Sequence, residues 1–166
     1  MAISQDTLRQ NAQASSTTVR RSFHGAVVAG TQTAFLCHSH YDRSLAIGFR
    51  NYAERLGWDV YIDWLDEDMP ERPTVETATR IQEQIKTRSH FLYLATRNSS
   101  ESKWCPWEIG YANGAKSRKN ILIIPTTDSF QTHGNEYLGL YQRIEEVPGG
   151  GLGRFEPGTT KGFYLR

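Results

Sequence analysis

"TAFLCHSHYDRSLAIGFRNYAERLGWDVYIDW", residues 33–64, holds the alternation on which the fold turns. Thr33-Ala34-Phe35-Leu36-Cys37 is a short apolar run and predicts a buried strand. Arg43 to Leu56 carries Leu45, Phe49, Tyr52, Ala53 and Leu56, the spacing of one helix face, and Gly57 stands where a helix C-cap glycine belongs. Asp59 to Trp64 predicts the next strand.

Working outward, the pattern repeats. Leu65 to Pro73 has four acids and two prolines and predicts a loop. Thr74 to Thr87 predicts a helix with Val75, Ala78, Ile81 and Ile85 inward, and Phe91 to Ala95 a strand. Lys103 to Ser117 predicts a helix and Ile121 to Pro125 a strand. A weak helix is expected over Tyr137–Glu145, and a loop with a last short strand after Pro148. Apolar strands alternating with amphipathic helices mean an α/β fold: a parallel sheet of about five strands covered by helices on both faces. In such sheets ligands bind at the carboxyl ends of the strands. Those ends are Cys37-His38-Ser39-His40, Asp63-Trp64-Leu65, Thr96-Arg97-Asn98 and Thr126-Thr127-Asp128.

The 166 residues suit one domain with tails, and a net charge of +1 gives no electrostatic case for nucleic acid. No stretch approaches the ~18–20 apolar residues of a membrane helix. Two cysteines, Cys37 and Cys105, make no disulfide framework and fit free thiols in a cytoplasmic protein. Residues 1–30 are expected as a polar leader, with a short helix near Gln5–Gln13; residues 31–147 form the domain, and 148–166 a glycine-rich extension. Thr18 to Phe23 faintly resembles a twin-arginine signal, but the apolar run Ala26–Ala29 is shorter than the ~7–15 residues of an export signal's apolar region.

"SKWCPWEIG", residues 102–110, carries the chemistry. Ser102 suits an N-cap and Pro106 the first turn. Trp104 and Glu108 lie one helical turn apart on one face. A surface acid paired with Lys103 or Arg118 is one account of Glu108; the other is a carboxylate among aromatic residues at a ligand rim. Glycoside hydrolysis ordinarily takes two carboxylates, because the leaving oxygen must be protonated. No second acid is paired with Glu108 in the sequence. One carboxylate suffices if the leaving group needs no proton. The nicotinamide of NAD⁺ is such a group: it is cationic while bound and departs neutral. A single anion can then stabilise the oxocarbenium-like ribose, while a tryptophan face stacks on a flat ring.

Together, "AFLCHSHYD" (34–42), "GWDVYIDWLD" (57–66), "SKWCPWEIGYA" (102–112) and "NILIIP" (120–125), in this order and spacing, resemble a TIR (Toll/interleukin-1 receptor) domain of the bacterial, NAD-consuming type. The resemblance covers about Thr33 to Asp128 and implies a flavodoxin-like fold. It implies Glu108 as the catalytic residue and Trp104 as a nucleotide-site residue. His38, Ser39 and Asp42 would border the pocket, with Asp63 and Trp64 as neighbours. NAD⁺ would be substrate rather than cofactor, with no metal. The product would be a signalling nucleotide, as from the sensor of a Thoeris-type anti-phage system, acting on a separate effector protein. Residues 65–73 would correspond to the BB loop, which mediates homo-oligomer assembly and gates access. Two alternatives stay open: a TIR module that assembles without catalysis, and an enzyme similar to nucleoside deoxyribosyltransferases.

Other constellations weigh less. Cys37, His38, His40, His90 and Cys105 lack zinc-site spacing. Cys105 at a helix start could be a nucleophile, but a packed thiol is the simpler account. The acids from Asp66 to Glu71 fit a solvated loop or a partner contact. Lys116, Arg118 and Lys119 complement a helix dipole. The run Gly149-Gly150-Gly151-Leu152-Gly153 lacks the Lys-Ser/Thr of a phosphate loop and suits a turn.

Overall fold

A computed structural model describes residues 1–14, 31–69 and 74–165. The chain runs β1 (Ile3–Ser4), α1 (Gln5–Ala14), β2 (Gln32–Cys37), α2 (Arg43–Glu54), β3 (Trp58–Tyr61), α3 (Val75–Thr87), β4 (His90–Ala95) and α4 (Arg97–Glu101). It continues with α5 (Cys105–Ala115), β5 (Ile121–Thr127), β6 (Gln142–Glu146), β7 (Leu152–Phe155) and β8 (Gly162–Tyr164). The sheet order is β3-β2-β4-β5-β6-β7-β8, with β1 alongside the end of β5. Strands β1 to β6 pair in parallel, and β7 and β8 extend the edge antiparallel.

Strand periodicity explains why the central strands read as unbroken apolar runs. Ala34, Leu36, Leu92, Leu94, Leu122 and Ile124 face one side, against Leu8 of α1 and Leu45 and Phe49 of α2. Their neighbours Phe35, Cys37, Phe91, Tyr93, Ile121 and Ile123 face the other, against Ile81 and Ile85 of α3 and Cys105, Ile109 and Ala112 of α5. Both faces are covered, so neither set of alternating positions can be polar.

Three expectations change. The helix expected over Tyr137–Glu145 is a 3-10 turn at Glu136–Leu140 followed by β6. Ile144 is the buried residue of that strand, and Arg143 ion-pairs with Glu145 two residues on. Such a mostly polar strand shows no apolar run to betray it. Val75 is exposed; the capping box between Thr74 and Thr77 starts α3 and turns Thr77 inward instead. The glycine run is the β6–β7 hairpin turn, with Gly149, Gly150 and Gly151 all at positive φ, and two strands rather than one follow.

The first fourteen residues, read as leader, pack onto the domain. Ile3 and Leu8 are fully buried, and the Asn51 side chain donates to the carbonyl of Asn11. Gly48 makes this close approach possible: a Cβ there would lie 1.9 Å from the carbonyl oxygen of Leu8. Residues 15–30, with the signal-like Thr18–Phe23 and Ala26–Ala29, lie outside the described residues. Among the described residues no helix is long and apolar enough to cross a membrane.

Candidate functional site

The carboxyl ends of β2 and β3 and the start of α5 converge at one end of the sheet. Ser102 Oγ accepts from the backbone N–H groups of Trp104 and Cys105, at 3.2 and 3.3 Å. The helix therefore begins at Cys105, two residues later than expected, and Pro106 falls in its first turn, where a missing N–H costs nothing. This moves Glu108 into the first turn as well. The Glu108 N–H closes that turn onto the Trp104 carbonyl at 2.9 Å. The positive end of the helix dipole acts on the carboxylate.

Glu108 is not a surface acid. It is 5% exposed, and neither Lys103 nor Arg118 acts on it. Burial pushes its pKa well up, the nearby Cys105 and Asp63 add to this, and a hydrogen bond with the Cys37 thiol opposes it. Burial likewise holds Cys37 in its protonated form. Cys37 and Cys105 are both buried, with the Cys37 sulfur 3.9 Å from the Cys105 carbonyl oxygen. Cys105 is fully enclosed, so its thiol is not presented as a nucleophile.

His38 and Trp64 are joined. Trp64 Nε1 donates to His38 Nε2 at 2.8 Å, and His38 Nδ1 bonds the Leu36 carbonyl at 3.0 Å. Indole can only donate and a carbonyl can only accept, so the imidazole is neutral with its proton on Nδ1. Asp63 Oδ1 lies 3.9 Å from His38 Nε2, and the Arg43 guanidinium stands 5.0 Å above the Trp64 ring. Trp104 is half-buried, edge-on to Trp107 at 5.4 Å. Trp104, Tyr61 and Met69 all pack against the apolar cluster that contains Cys37 and Cys105.

Asp42 and Ser39 hold the rim together. The Asp42 carboxylate accepts from Thr96 Oγ1 at 2.5 Å and Asn98 Nδ2 at 2.6 Å, which clamps the β2 rim to the β4 rim. Ser39 is buried and caps the following 3-10 turn through its hydroxyl. Thus His38, Asp63 and Trp64 are in contact, Asp63 acts on Glu108, and Trp104 packs on the cluster beside it, while Asp42 and Ser39 hold the rim. His40 is exposed, and His90 sits at the opposite end of β4 against Trp58, where burial holds its pKa down at about 4. Among the described residues no three His, Cys, Asp or Glu side chains are grouped to hold a metal ion.

Several contributors were not foreseen. The contact of the Cys37 thiol with the Cys105 carbonyl joins β2 to α5 across the core. The Thr96–Ser99 capping box starts α4, and its spacing is a signal the sequence did contain. Arg80 grips Asp66 with two bonds of 2.9 Å and also reaches Asp68, while Tyr61 donates to Asp66 at 2.6 Å. The acids at the start of the 65–73 loop are therefore partly paired rather than simply solvated. A separate cleft of about 520 Å³ lies on the other flank of α5, lined by Thr96, Pro106, Asn113, His133 and Tyr137; Glu108 is not in its wall.

The geometry can be set beside known proteins. The chain is 37% identical over 113 residues to a Bacillus cereus (strain MSX-D12) protein named a probable 3′ cyclic ADP-D-ribose synthase, ThsB′. That match covers 66% of this chain and 58% of the relative. It is 27% identical over 97 residues to TIR2 of Cytobacillus dafuensis, whose name marks it as a candidate cyclic ADP-D-ribose synthase. There the match covers 57% of this chain and 25% of the relative. The chain thus spans little more than half of one relative and a quarter of the other. The family model described as TIR domain matches residues 34–145, from the middle of β2 into β6 and through every element that frames Glu108. With a parallel sheet of the expected type beneath that match, this chain belongs to the TIR domain family.

Proposed function

We propose that this TIR domain cleaves the nicotinamide–ribose bond of NAD⁺ and closes or transfers the ADP-ribosyl group to make a signalling nucleotide for anti-phage defence. The observation that carries the proposal is the buried Glu108 carboxyl at the first turn of α5, met by a neutral thiol rather than by a cation. A buried acid without a cationic partner is costly to keep ionised. The pyridinium of NAD⁺ would supply that partner. As the C1′–N bond breaks, the electron pair goes to the nicotinamide nitrogen and positive charge moves to the ribose. A carboxylate held beneath the ring gains most at that point, which is differential stabilisation of the transition state. Trp104 would stack on a flat ring of the dinucleotide. His38, fixed as a neutral imidazole, would border the ribose with Asp63 and Trp64, and Asp42 and Ser39 would act by shaping that rim. NAD⁺ is substrate here, and the proposal calls on no metal or further cofactor.

The names of the two relatives support this chemistry, since cyclic ADP-ribose arises from NAD⁺ by loss of nicotinamide. In this account the protein works in the cytoplasm, assembles with copies of itself through the 65–73 loop, and acts on a separate effector through its product. The test is product analysis. Purified protein is incubated with NAD⁺ at low and high protein concentration, and the mixture is resolved by chromatography and mass spectrometry. Nicotinamide with an equimolar cyclic or conjugated ADP-ribose is expected. Release of bases from deoxynucleosides alone would replace the proposal with a deoxyribosyltransferase, and no release under any assembly condition would leave a binding module.

A further inference from the structure

We propose that the cleft on the other flank of α5 is a second binding site, built for a flat, uncharged heteroaromatic ring that carries an amide or amine. Glu108 is not in its wall, and the site stands whether or not NAD⁺ is cleaved.

The walls of this cleft, about 520 Å³ in volume, come from three places: the end of β4 with α4, one side of α5, and residues 131–141. The third wall is held firmly. The His133 N–H donates to the Thr126 carbonyl at 2.8 Å, and Thr132 bridges to Thr127. Gly134, at φ +110°, lets the chain cross close over the strand ends: a Cβ there would lie 3.2 Å from the Cβ of Pro125 and 3.3 Å from that of Ala95. Two residues on, Glu136 takes φ 60°, a left-handed conformation uncommon outside glycine. Such backbone persists only where its surroundings hold it, and it gathers at ligand sites.

His133 carries the inference. It is 8% exposed, and its Nε2 lies 2.7 Å from Asp128 Oδ2. That carboxylate is itself fixed, since Asp128 Oδ1 accepts from the N–H groups of Phe130 and Gln131 at 2.8 and 2.9 Å. A carboxylate only accepts, so Nε2 carries the proton and Nδ1 is the acceptor of the neutral ring. Among the described residues nothing bonds Nδ1, and no fully buried side-chain nitrogen or oxygen lacks a partner. Nδ1 is therefore open, and the space beside His133 is the cleft. An imidazole clamped at one nitrogen and open at the other is an oriented acceptor. Asn113 of α5 supplies the matching donor. Its Oδ1 accepts from the Tyr141 hydroxyl at 3.1 Å, which leaves its N–H₂ group for a ligand.

The rest of the lining selects the ligand. Ala95, Ile109 and Leu138 are apolar and buried, and the exposed Tyr137 ring gives a surface to stack on. No Lys or Arg lines the cleft, and its one carboxylate is that of Glu136, so a phosphate is disfavoured. A carboxamide, or the amine and ring nitrogen of a purine, meets an acceptor and a donor at once. Nicotinamide and an unphosphorylated purine nucleoside share this chemistry.

The test is a ¹H–¹⁵N NMR titration of the full chain with nicotinamide, with adenosine and with ribose 5-phosphate. At least one of the two ring ligands is expected to give saturable shifts at residues 93–100 and 131–141, and ribose 5-phosphate none there. The ring ligand that binds more tightly identifies the source. His133→Ala and Tyr137→Ala are each expected to weaken that binding ~10-fold. Tyr137 is 45% exposed, so its truncation leaves the core intact, and the spectrum itself reports the fold. No saturable shift in the cleft up to the solubility limit of both ring ligands would overturn the proposal. So would shifts confined to His38, Asp63, Trp64 and Glu108, shifts that Tyr137→Ala leaves unchanged, or tighter binding of ribose 5-phosphate than of either ring.

Discussion

Glu108 is a residue whose proposed function and stability pull in opposite directions. Its pKa in the folded protein lies well above the ordinary value of 4.5, chiefly because it is buried. Between those two values the folded state holds a proton that the unfolded chain has released. Stability therefore falls as pH rises from 4.5 through the raised value. Glu108→Gln keeps the shape and cannot ionise, so it is expected to melt above the wild type at pH 7–8, with the gap closing towards pH 4.5. A pH series of melting curves checks this; a mutant that melts lower at neutral pH would mean the carboxylate is a stabilising partner instead. Asp42 has a structural part. Its two bonds, from Thr96 and Asn98, join two rims of the sheet. Asp42→Ala leaves both donors without that acceptor and is expected to cost about 1–3 kcal/mol in urea unfolding, with Thr96 and Asn98 losing amide protection first. The sequence showed Trp104 and Glu108 clearly, because their relation is a helical repeat within one segment. It did not show what faces Glu108. That depends on how β2 and α5 meet across the core, and Cys37 in isolation reads as one more small apolar residue.

At the scale of elements, residues 65–69 after β3 are tied to α3 by charged side chains. Glu108 is almost wholly enclosed, so the NAD⁺ proposed as its substrate would reach it only if something nearby yields. Asp66 and Asp68 are tied to Arg80 of α3, and Tyr61 reinforces Asp66. Arg80 is partly exposed, so screening by solvent limits the worth of the pair to about 1 kcal/mol or less. Arg80→Ala is accordingly expected to leave global stability nearly unchanged while speeding amide exchange at residues 65–69. Unaltered exchange there would show that the pair holds nothing in place. Elements with strong periodicity were readable: β2, α2, β4 and β5 fall within a residue or two of expectation. The failures have a common cause. β6 is polar on most positions, and α4 is a five-residue helix set by a capping box rather than by an apolar face. Neither announces itself through hydrophobic spacing.

For the whole molecule, the domain is larger than the family match, because both ends of the chain add to the sheet. β1 lengthens the parallel sheet beside β5, and α1 closes the face that α2 would otherwise leave open. The polar composition of residues 1–14 hid this: Ile3 and Leu8 are the main apolar anchors, too few to produce a pattern. Gly48→Ala tests the arrangement, since the added methyl meets the backbone of Leu8. A loss of about 1–3 kcal/mol is expected, with early protease cleavage near residues 1–14. The central claim, that one buried carboxylate carries the chemistry of this TIR domain, is tested most directly by the rate of nicotinamide release from NAD⁺ by Glu108→Gln beside the wild type, with both shown to be folded. A fall of about 10²–10³-fold in kcat is predicted, the size expected when a fixed electrostatic group is lost from a transition state. A Glu108→Gln protein that releases nicotinamide at the wild-type rate would contradict the account.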